Sequence, residues 1–345
     1  MRFTLEDVAA RTRRSKATVS RVLNNYDKVS EATRREVLRA VDELQCQSSV
    51  GRRRIGLIVP DPQNPYFSTM AYACDRECER YGTHLMISSS DGRAHRELDL
   101  LKHFTELEVD GIIFISAGRN NAETLLTLRH SPVKGVPLVA LDRGPSHIDR
   151  VTTSTLRSVN ESINCLVAYG HTDIGYIKGQ AGTETADERV SSFCNAMSAS
   201  GLGLKSNWIS EGDYRVESGR RYAELLLGLR PEDRPTAVLA ANDLMAIGLV
   251  TRLQCDGWRL PEDLSVIGFD GIPECTWIVP GLSTIQQPVT KLAHHAVSIV
   301  MKRIQEREQR LAPSEPMHIQ MQTRFVPRQS IGYARSSHRF SIVGA

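Results

Sequence analysis

From Ile55 onward the chain repeats one pattern, a short apolar, β-branched run followed by an amphipathic helical stretch. Candidate strands are Ile55–Val59, His84–Ser88, Gly111–Ile115, Pro137–Leu141, Asp173–Ile177, Ala237–Ala240 and Leu264–Gly268. Strands that alternate with helices build parallel sheets from βαβ units, because a parallel neighbour can be reached only by a crossover. The runs fall into two groups, before and after about residue 155, so two similar lobes are expected. In open parallel sheets a ligand sits beyond the carboxyl ends of the strands. The polar loops there are Asp61–Phe67, Ser89–Gly92, Asp142–Gly144 and Asp270–Gly271.

The first 45 residues carry a different pattern, helical throughout. Thr4 can cap a helix that starts at Leu5, with Asp7 favouring its positive end, and Ser15 can cap a second over Lys16–Leu23. Ser30 can cap a third, in which Val37, Leu38, Val41 and Leu44 share one face. Three short helices with a tight turn between the first two make a helix-turn-helix. Charge divides at the same place. Residues 1–54 hold 13 Lys/Arg against 7 Asp/Glu, and the remainder holds 30 against 33. A basic head on a slightly acidic body suits a nucleic-acid reader with a regulatory domain.

Other classes find little support. The longest apolar runs are strand-sized, and the N-terminal residues Met1 to Asp7 carry acids where an export signal would be apolar, so a cytoplasmic protein without a membrane span is expected. Seven cysteines at 46, 74, 78, 165, 194, 255 and 275 show no metal-ligand spacing and read as reduced thiols. No nucleophile elbow, phosphate loop or paired-carboxylate motif is present, which argues against an enzyme, and no cofactor or metal is expected. An exported sugar-binding protein would share the lobes but would lack the helix-turn-helix.

Two segments carry a specific resemblance. Thr4-Leu5-Glu6-Asp7-Val8-Ala9 with Ala17-Thr18-Val19-Ser20-Arg21-Val22-Leu23-Asn24 resembles the head-piece of the lactose-repressor (LacI/GalR) family. Ile55-Gly56-Leu57-Ile58-Val59-Pro60 with Asn64-Pro65-Tyr66-Phe67 resembles the start of that family's sensor. Val109–Ile113, Gly170-His171, Ala241–Ala246, Val266–Asp270 and Leu282–Pro288 continue the similarity in order to about residue 332. The resemblance implies an α/β protein: an all-α helix-turn-helix head-piece plus a periplasmic-binding-protein-like type I sensor of two doubly wound parallel-sheet lobes joined by three crossovers. It implies a homodimer that represses transcription allosterically. The boundaries expected are 2–45 for the head-piece, 46–54 for a short basic linker, 55–154 with 288–317 for the first lobe, 155–287 with 318–332 for the second, and 333–345 for a flexible basic tail.

In a helix-turn-helix the second helix enters the major groove. Lys16 and Ala17, with Arg21 one turn on, are placed to meet base edges, an Arg addressing guanine and an Ala a thymine methyl. Thr4, Ser15, Thr18, Ser20 and Asn24 suit phosphates. The chain departs from the family in two places. Thr12-Arg13-Arg14 fills a turn that usually holds Gly, so either the turn differs or added phosphate contacts offset left-handed strain. The stretch Gln45–Arg54 is about eight residues too short for the family's hinge helix and lacks its wedging Leu, so minor-groove intercalation is not expected. Arg52, Arg53 and Arg54 either hold phosphates or form a solvated linker.

A sugar site needs carboxylates, amides and guanidinium groups for hydroxyls, and aromatic faces for C–H surfaces. The positions aligned with the family's pocket supply Asn64, Tyr66, Phe67, Asp91, Asp142 and Arg143 from the first lobe. They supply Arg189, Tyr214, Asn242, Asp270 and Gln287 from the second lobe or the crossover. Asp142-Arg143, Arg189, Asn242, Asp270 and Gln287 together resemble the constellation of ribose-binding proteins, which makes a monosaccharide, with a pentose favoured, the expected effector. A purine would call for more stacking rings than a chain that is 6% aromatic offers. Five of these residues also have a purely structural alternative: a turn for Asp270, a helix cap for Asn242, core packing for Phe67, a mutual or surface ion pair for Asp142 and Arg143.

Overall fold

The computed structural model describes residues 4–24, 29–50, 53–118, 135–312 and 314–335. Three helices open the chain: α1 (Leu5–Thr12), α2 (Lys16–Leu23) and α3 (Glu31–Val50). Val8, Val19, Val22, Val37, Ala40 and Val41 close a small core between them. Thr4 forms a reciprocal capping box: its amide donates to Asp7 Oδ2 at 2.6 Å and its hydroxyl accepts the Asp7 amide at 3.4 Å. Ser15 caps α2, accepting the Thr18 amide at 3.2 Å. The turn between α1 and α2 is taken by Arg13 in the left-handed region, φ 51° and ψ 30°, a conformation that costs a side-chain-bearing residue about 1 kcal/mol. The strained alternative is therefore the one adopted, and beside it Arg14 pairs with Glu36 of α3 at 2.8 Å.

The expected linker is shorter than 46–54. Helix α3 runs on to Val50, because nothing in Gln45–Val50 breaks a helix before Gly51. At the other end β1 (Arg54–Val59) takes in Arg54.

The sensor continues with α4 (Pro65–Arg80), β2 (His84–Ser89), α5 (Ala94–Glu106), β3 (Gly111–Phe114), β4 (Leu138–Asp142) and β5 (Asp149–Ser154). A second series follows: α6 (Leu156–Ala168), β6 (Ile174–Ile177), α7 (Glu184–Ala199), β7 (Ile209–Ser210), α8 (Val216–Gly228), β8 (Ala237–Ala240), α9 (Asp243–Cys255), β9 (Ser265–Asp270) and β10 (Ser283–Gln286). The chain then adds α10 (Val289–Glu308), β11 (His318–Gln322) and β12 (Arg324–Val326). Two six-stranded sheets result, ordered β11-β5-β4-β3-β1-β2 and β12-β10-β9-β8-β6-β7. All described pairings are parallel except β10 with β12. Central strands such as β3, β6 and β8 are buried along their whole length, as strands covered by helices on both faces must be.

The chain crosses between sheets after Ser154, after Gln286 and at Thr323. The last crossing corrects the expected lobe boundary. Residues 318–322 belong to the first lobe, where His318 to Gln322 pair in register with Arg150 to Ser154. An edge strand of alternating exposed and half-buried residues carries too little apolar signal to be assigned by pattern. The start of the expected tail is also docked: the Ala334 amide donates to the Tyr169 carbonyl at 2.8 Å, and the Tyr333 and Tyr169 rings lie 5.0 Å apart. Residues 336–345 lie outside the described residues.

Within the second lobe α8 and α9 touch backbone to backbone. A Cβ on Gly219 would stand 1.9 Å from the Met245 carbonyl oxygen, and one on Gly248 2.1 Å from that of Val216. Only glycine permits such an approach.

Candidate DNA-reading head and effector cleft

At 100° per residue, Lys16, Ala17, Ser20, Arg21 and Asn24 occupy one arc of α2 about 140° wide, opposite buried Val19 and Val22. Lys16, Ala17, Arg21 and Asn24 are exposed; Thr18 and Ser20 are half-buried. Several of these groups already have local partners. Thr4 and Ser15 spend their hydroxyls as caps, Lys16 pairs with Glu6, and Asn24 Nδ2 donates to the Ser20 carbonyl at 2.9 Å. The Asp7 carboxyl is held below its usual range by its hydrogen bonds to the Thr4 backbone and hydroxyl. Arg52 lies outside the described residues. Arg53 and Arg54 turn to the sensor: Arg53 grips Glu308 and Arg54 Nη2 donates to the Glu108 carbonyl at 3.2 Å.

The expected effector residues gather where the two sheets' carboxyl ends face each other. Asn64 caps α4, its Oδ1 accepting the Tyr66 amide at 3.0 Å, and so sets Tyr66 and Phe67 on the first turn. The Tyr66 hydroxyl donates to Asp142 Oδ1 at 2.8 Å. Burial and the neighbouring Asp142 push the phenol well above its ordinary pKa, so it remains a donor. Arg143 spans the lobes, giving Nε to the Ser116 carbonyl at 2.6 Å and Nη1 to Thr185 Oγ1 at 3.1 Å.

From the second lobe, Arg189 Nη2 donates to Asp270 Oδ1 at 3.0 Å and Nη1 to the Ala241 carbonyl. Its guanidinium lies 3.8 Å from the centre of the Phe269 ring and 5.8 Å from that of Tyr214. Arg189 Nε is buried without a hydrogen-bond partner, an orphan donor inside the polar cluster. Gln287 bridges the sheets, with Nε2 on Asp270 Oδ1 at 3.0 Å and Oε1 accepting from Thr153 at 3.2 Å. Burial pushes the Asp270 carboxyl up to about 6, against the opposing pull of Arg189. Asn242 does cap α9 through the Met245 amide at 3.0 Å, yet its Nδ2 also holds the Tyr214 carbonyl at 2.9 Å.

Backbone strain singles out the same place. Among the described residues seven non-glycine positions have left-handed φ, and four are expected effector residues: Asp91 at 53°, Asp142 at 66°, Tyr214 at 66° and Asp270 at 109°. Strain of about 1–3 kcal/mol per residue persists where the surroundings impose it and clusters at ligand sites. At Asp270 the enforcing group is Asp243, whose Oδ2 accepts the next two amides, Gly271 at 2.6 Å and Ile272 at 2.9 Å. Asp243 is fully buried, and desolvation followed by repulsion from Asp270 pushes it up to about 7.

The cleft between the lobes encloses about 280 Å³. Asn64, Phe67, Asp91, Arg143 and Tyr214 line it; Tyr66, Asp142, Arg189, Asn242, Asp270 and Gln287 stand behind them, each at most 6% exposed, with Tyr66 bonded to Asp142 and both Arg189 and Gln287 bonded to Asp270. Sequence reasoning placed Asp61 in a ligand-side loop without naming it as a contact, and it missed Gln180, Asp213 and Arg215 on the cleft wall, as well as Thr153, Thr185 and Asp243. Asp61 and Arg215 approach to 3.8 Å across the mouth. The polar run Thr183-Glu184-Thr185 ahead of Arg189 is the one local signal that pointed there. Among the described residues no cluster of His, Cys, Asp or Glu would hold a metal ion, and no helix is long and apolar enough to cross a membrane.

A helix-turn-helix joined to a two-lobed sensor with a polar interlobe cleft defines an effector-controlled transcriptional regulator, not an enzyme. Residues 4–47 match the model of bacterial regulatory proteins of the lacI family, and residues 163–331 match a periplasmic binding protein-like domain. Over 338 residues the chain is 32% identical to the HTH-type transcriptional repressor PurR of Aliivibrio fischeri (strain MJ11), covering 95% of this chain and 98% of the relative. Among solved structures, that of the transcriptional regulator CelR–cellobiose complex superimposes with a TM-score of 0.70 at 26% identity, covering 96% of this chain and 100% of that one. A putative ribose operon repressor from Burkholderia thailandensis gives 0.68 at 29% identity over 79% and 98%. The chain belongs to the LacI family and is a DNA-binding transcriptional repressor with a small-molecule sensor.

Proposed function

We propose that this repressor controls carbohydrate-utilisation genes and that its effector is a monosaccharide, a pentose such as ribose in the first place. The observation that carries this reading is the paired set Asp142–Tyr66 and Asp270–Arg189–Gln287, with Arg189 Nε unsatisfied at its centre. Carboxylates accept from vicinal hydroxyls while the guanidinium and amide groups beside them donate to the same hydroxyls. The cleft of about 280 Å³ is at the small end for ligand sites and suits one sugar ring. Phe67 and Tyr214 face it from opposite lobes and offer surfaces for ring C–H groups. The cellobiose-bound and ribose-operon relatives support a sugar.

A second reading, a purine acting as co-repressor, follows from the name PurR carried by the 32% identical relative. The two differ in consequence: the sugar is expected to release operator DNA and the purine to promote binding. DNA reading is assigned to Lys16, Ala17 and Arg21 at base edges, with Thr4, Ser15, Thr18, Ser20 and Asn24 toward phosphates. A homodimer in the cytoplasm completes the proposal. Its interface is assigned to apolar groups left exposed on both lobes, Tyr72, Tyr81 and Ile87 on the first and Leu225, Trp277 and Val279 on the second.

Thermal melting with D-ribose, other pentoses and hexoses, hypoxanthine and guanine tests the effector. A shift of several degrees with a sugar, absent in Arg189→Ala, supports the reading. A shift with a purine and none with sugars overturns it in favour of the second.

A further inference from the structure

The last turns of α10 tie down the starts of three strands in the first lobe. Arg303 bonds Asp149 through two contacts of 2.7 Å at the head of β5. Arg307 lies 3.8 Å from Asp110, just before β3, and donates to the Gly135 carbonyl at 3.1 Å. Glu308, the final residue of α10, receives Arg53 Nε at 3.2 Å and Nη2 at 2.7 Å, immediately before β1. Asp110 also accepts the Arg54 amide at 2.7 Å. Two consecutive residues are thus gripped where the chain enters the sensor, and only Gly51 and Arg52 separate that grip from the end of α3 at Val50. The other end of α10, about 30 Å away at 1.5 Å per residue, begins two residues after Gln287 in the cleft.

We propose that Arg53 and Glu308 are positioning residues for operator recognition: their fork-to-fork pair anchors the point from which the DNA-reading head leaves the sensor, and Arg53 does not contact phosphate. Two parallel N–H···O bonds fix orientation as well as distance, which a single contact does not. An anchor so close to α3 restricts the directions the head can take. In a two-headed binder that restriction sets which half-site spacing both heads reach together. The inference therefore rests on the homodimer of the proposed function. Its effect on stability is small, since Arg53 and Glu308 are 39% and 45% exposed and such pairs contribute little.

The test uses the full-length protein and a duplex selected by it from a random-sequence pool, beside the same duplex with five base pairs inserted between its half-sites. Sedimentation of the wild type reports the dimer separately. For Glu308→Gln, the preference for the selected spacing is expected to fall about 5-fold, with the slope of affinity against salt unchanged. Exchange of the two charges, Arg53→Glu with Glu308→Arg, is expected to restore the preference to within about 2-fold of wild type. Arg53→Gln is expected to leave the salt slope as it was. A slope reduced by about one in Arg53→Gln, or tighter binding with a steeper slope in Glu308→Gln, identifies a phosphate contact and overturns the anchor. Unchanged spacing preference in Glu308→Gln overturns it as well. A wild type that sediments as a monomer and ignores spacing overturns the dimer, and the anchor with it.

Discussion

Replacing Arg189 with Ala removes the cation from a buried pair, and the cost depends on pH in a way the structure dictates. Asp270 already sits at about 6, raised by burial from an ordinary 3.8. Because the folded value is the higher one, the native state holds its proton more tightly than the unfolded chain. The contribution of Asp270 to stability therefore falls as pH rises from about 4 through about 6, by about 3 kcal/mol in the wild type. In Arg189→Ala the opposing pull of the guanidinium is gone, so the folded pKa of Asp270 rises further and the loss extends to higher pH. At pH 8 a buried carboxylate without its partner costs about 3–5 kcal/mol. At pH 5.5 the carboxyl is protonated, and only the lost hydrogen bonds and the contact with Phe269 remain, about 1–2 kcal/mol. Urea denaturation of wild type and variant at pH 5.5 and 8 measures both differences. A destabilisation equal at the two pH values would refute the reasoning, because it would show that Asp270 does not carry the titrating charge.

Thr4→Ala breaks the capping box of α1 and is expected to cost the head about 1 kcal/mol; amide hydrogen exchange across residues 5–12 reads it directly. Arg21→Ala removes the exposed guanidinium from the reading arc, and specific operator affinity is expected to drop by about 1–3 kcal/mol, with little change on random DNA; a fluorescence-anisotropy titration compares the two. Gly248→Ala drives a methyl into the Val216 carbonyl, and a loss of about 1–3 kcal/mol is expected in thermal melts, with the head's hydrogen exchange unaffected.

Much of the architecture was legible because it rests on short-range pattern. The strand–helix alternation, the three capping residues and the buried valines of the head each follow from spacing and side-chain chemistry within a few residues. Two boundaries failed, one because it depends on a long-range partner and one because polar residues carry no stripe. His318–Gln322 is a strand because Arg150–Ser154 lies beside it, and no apolar stripe announces that pairing. Gln45–Val50 is polar yet helical, since the extension of a helix needs no apolar stripe and ends only at a breaker.

For the site, the residue types that bind hydroxyls stand in the sequence as Asn64, Tyr66, Asp142, Arg143, Arg189, Asn242, Asp270 and Gln287, and their placement at strand ends could be read from the alternation. Tertiary structure decided how they partner one another. Gln287 meets Thr153, 134 residues away, and Arg189 meets Asp270 across 81. The left-handed φ at Asp270 is likewise held from outside, by the carboxylate of Asp243 on the next two amides. Arg53 shows the limit most plainly: in sequence it is one of three arginines on a basic linker, free for phosphate. Only the fold, by bringing the end of α10 to the start of β1, puts Glu308 within 2.7 Å and turns that charge toward the protein.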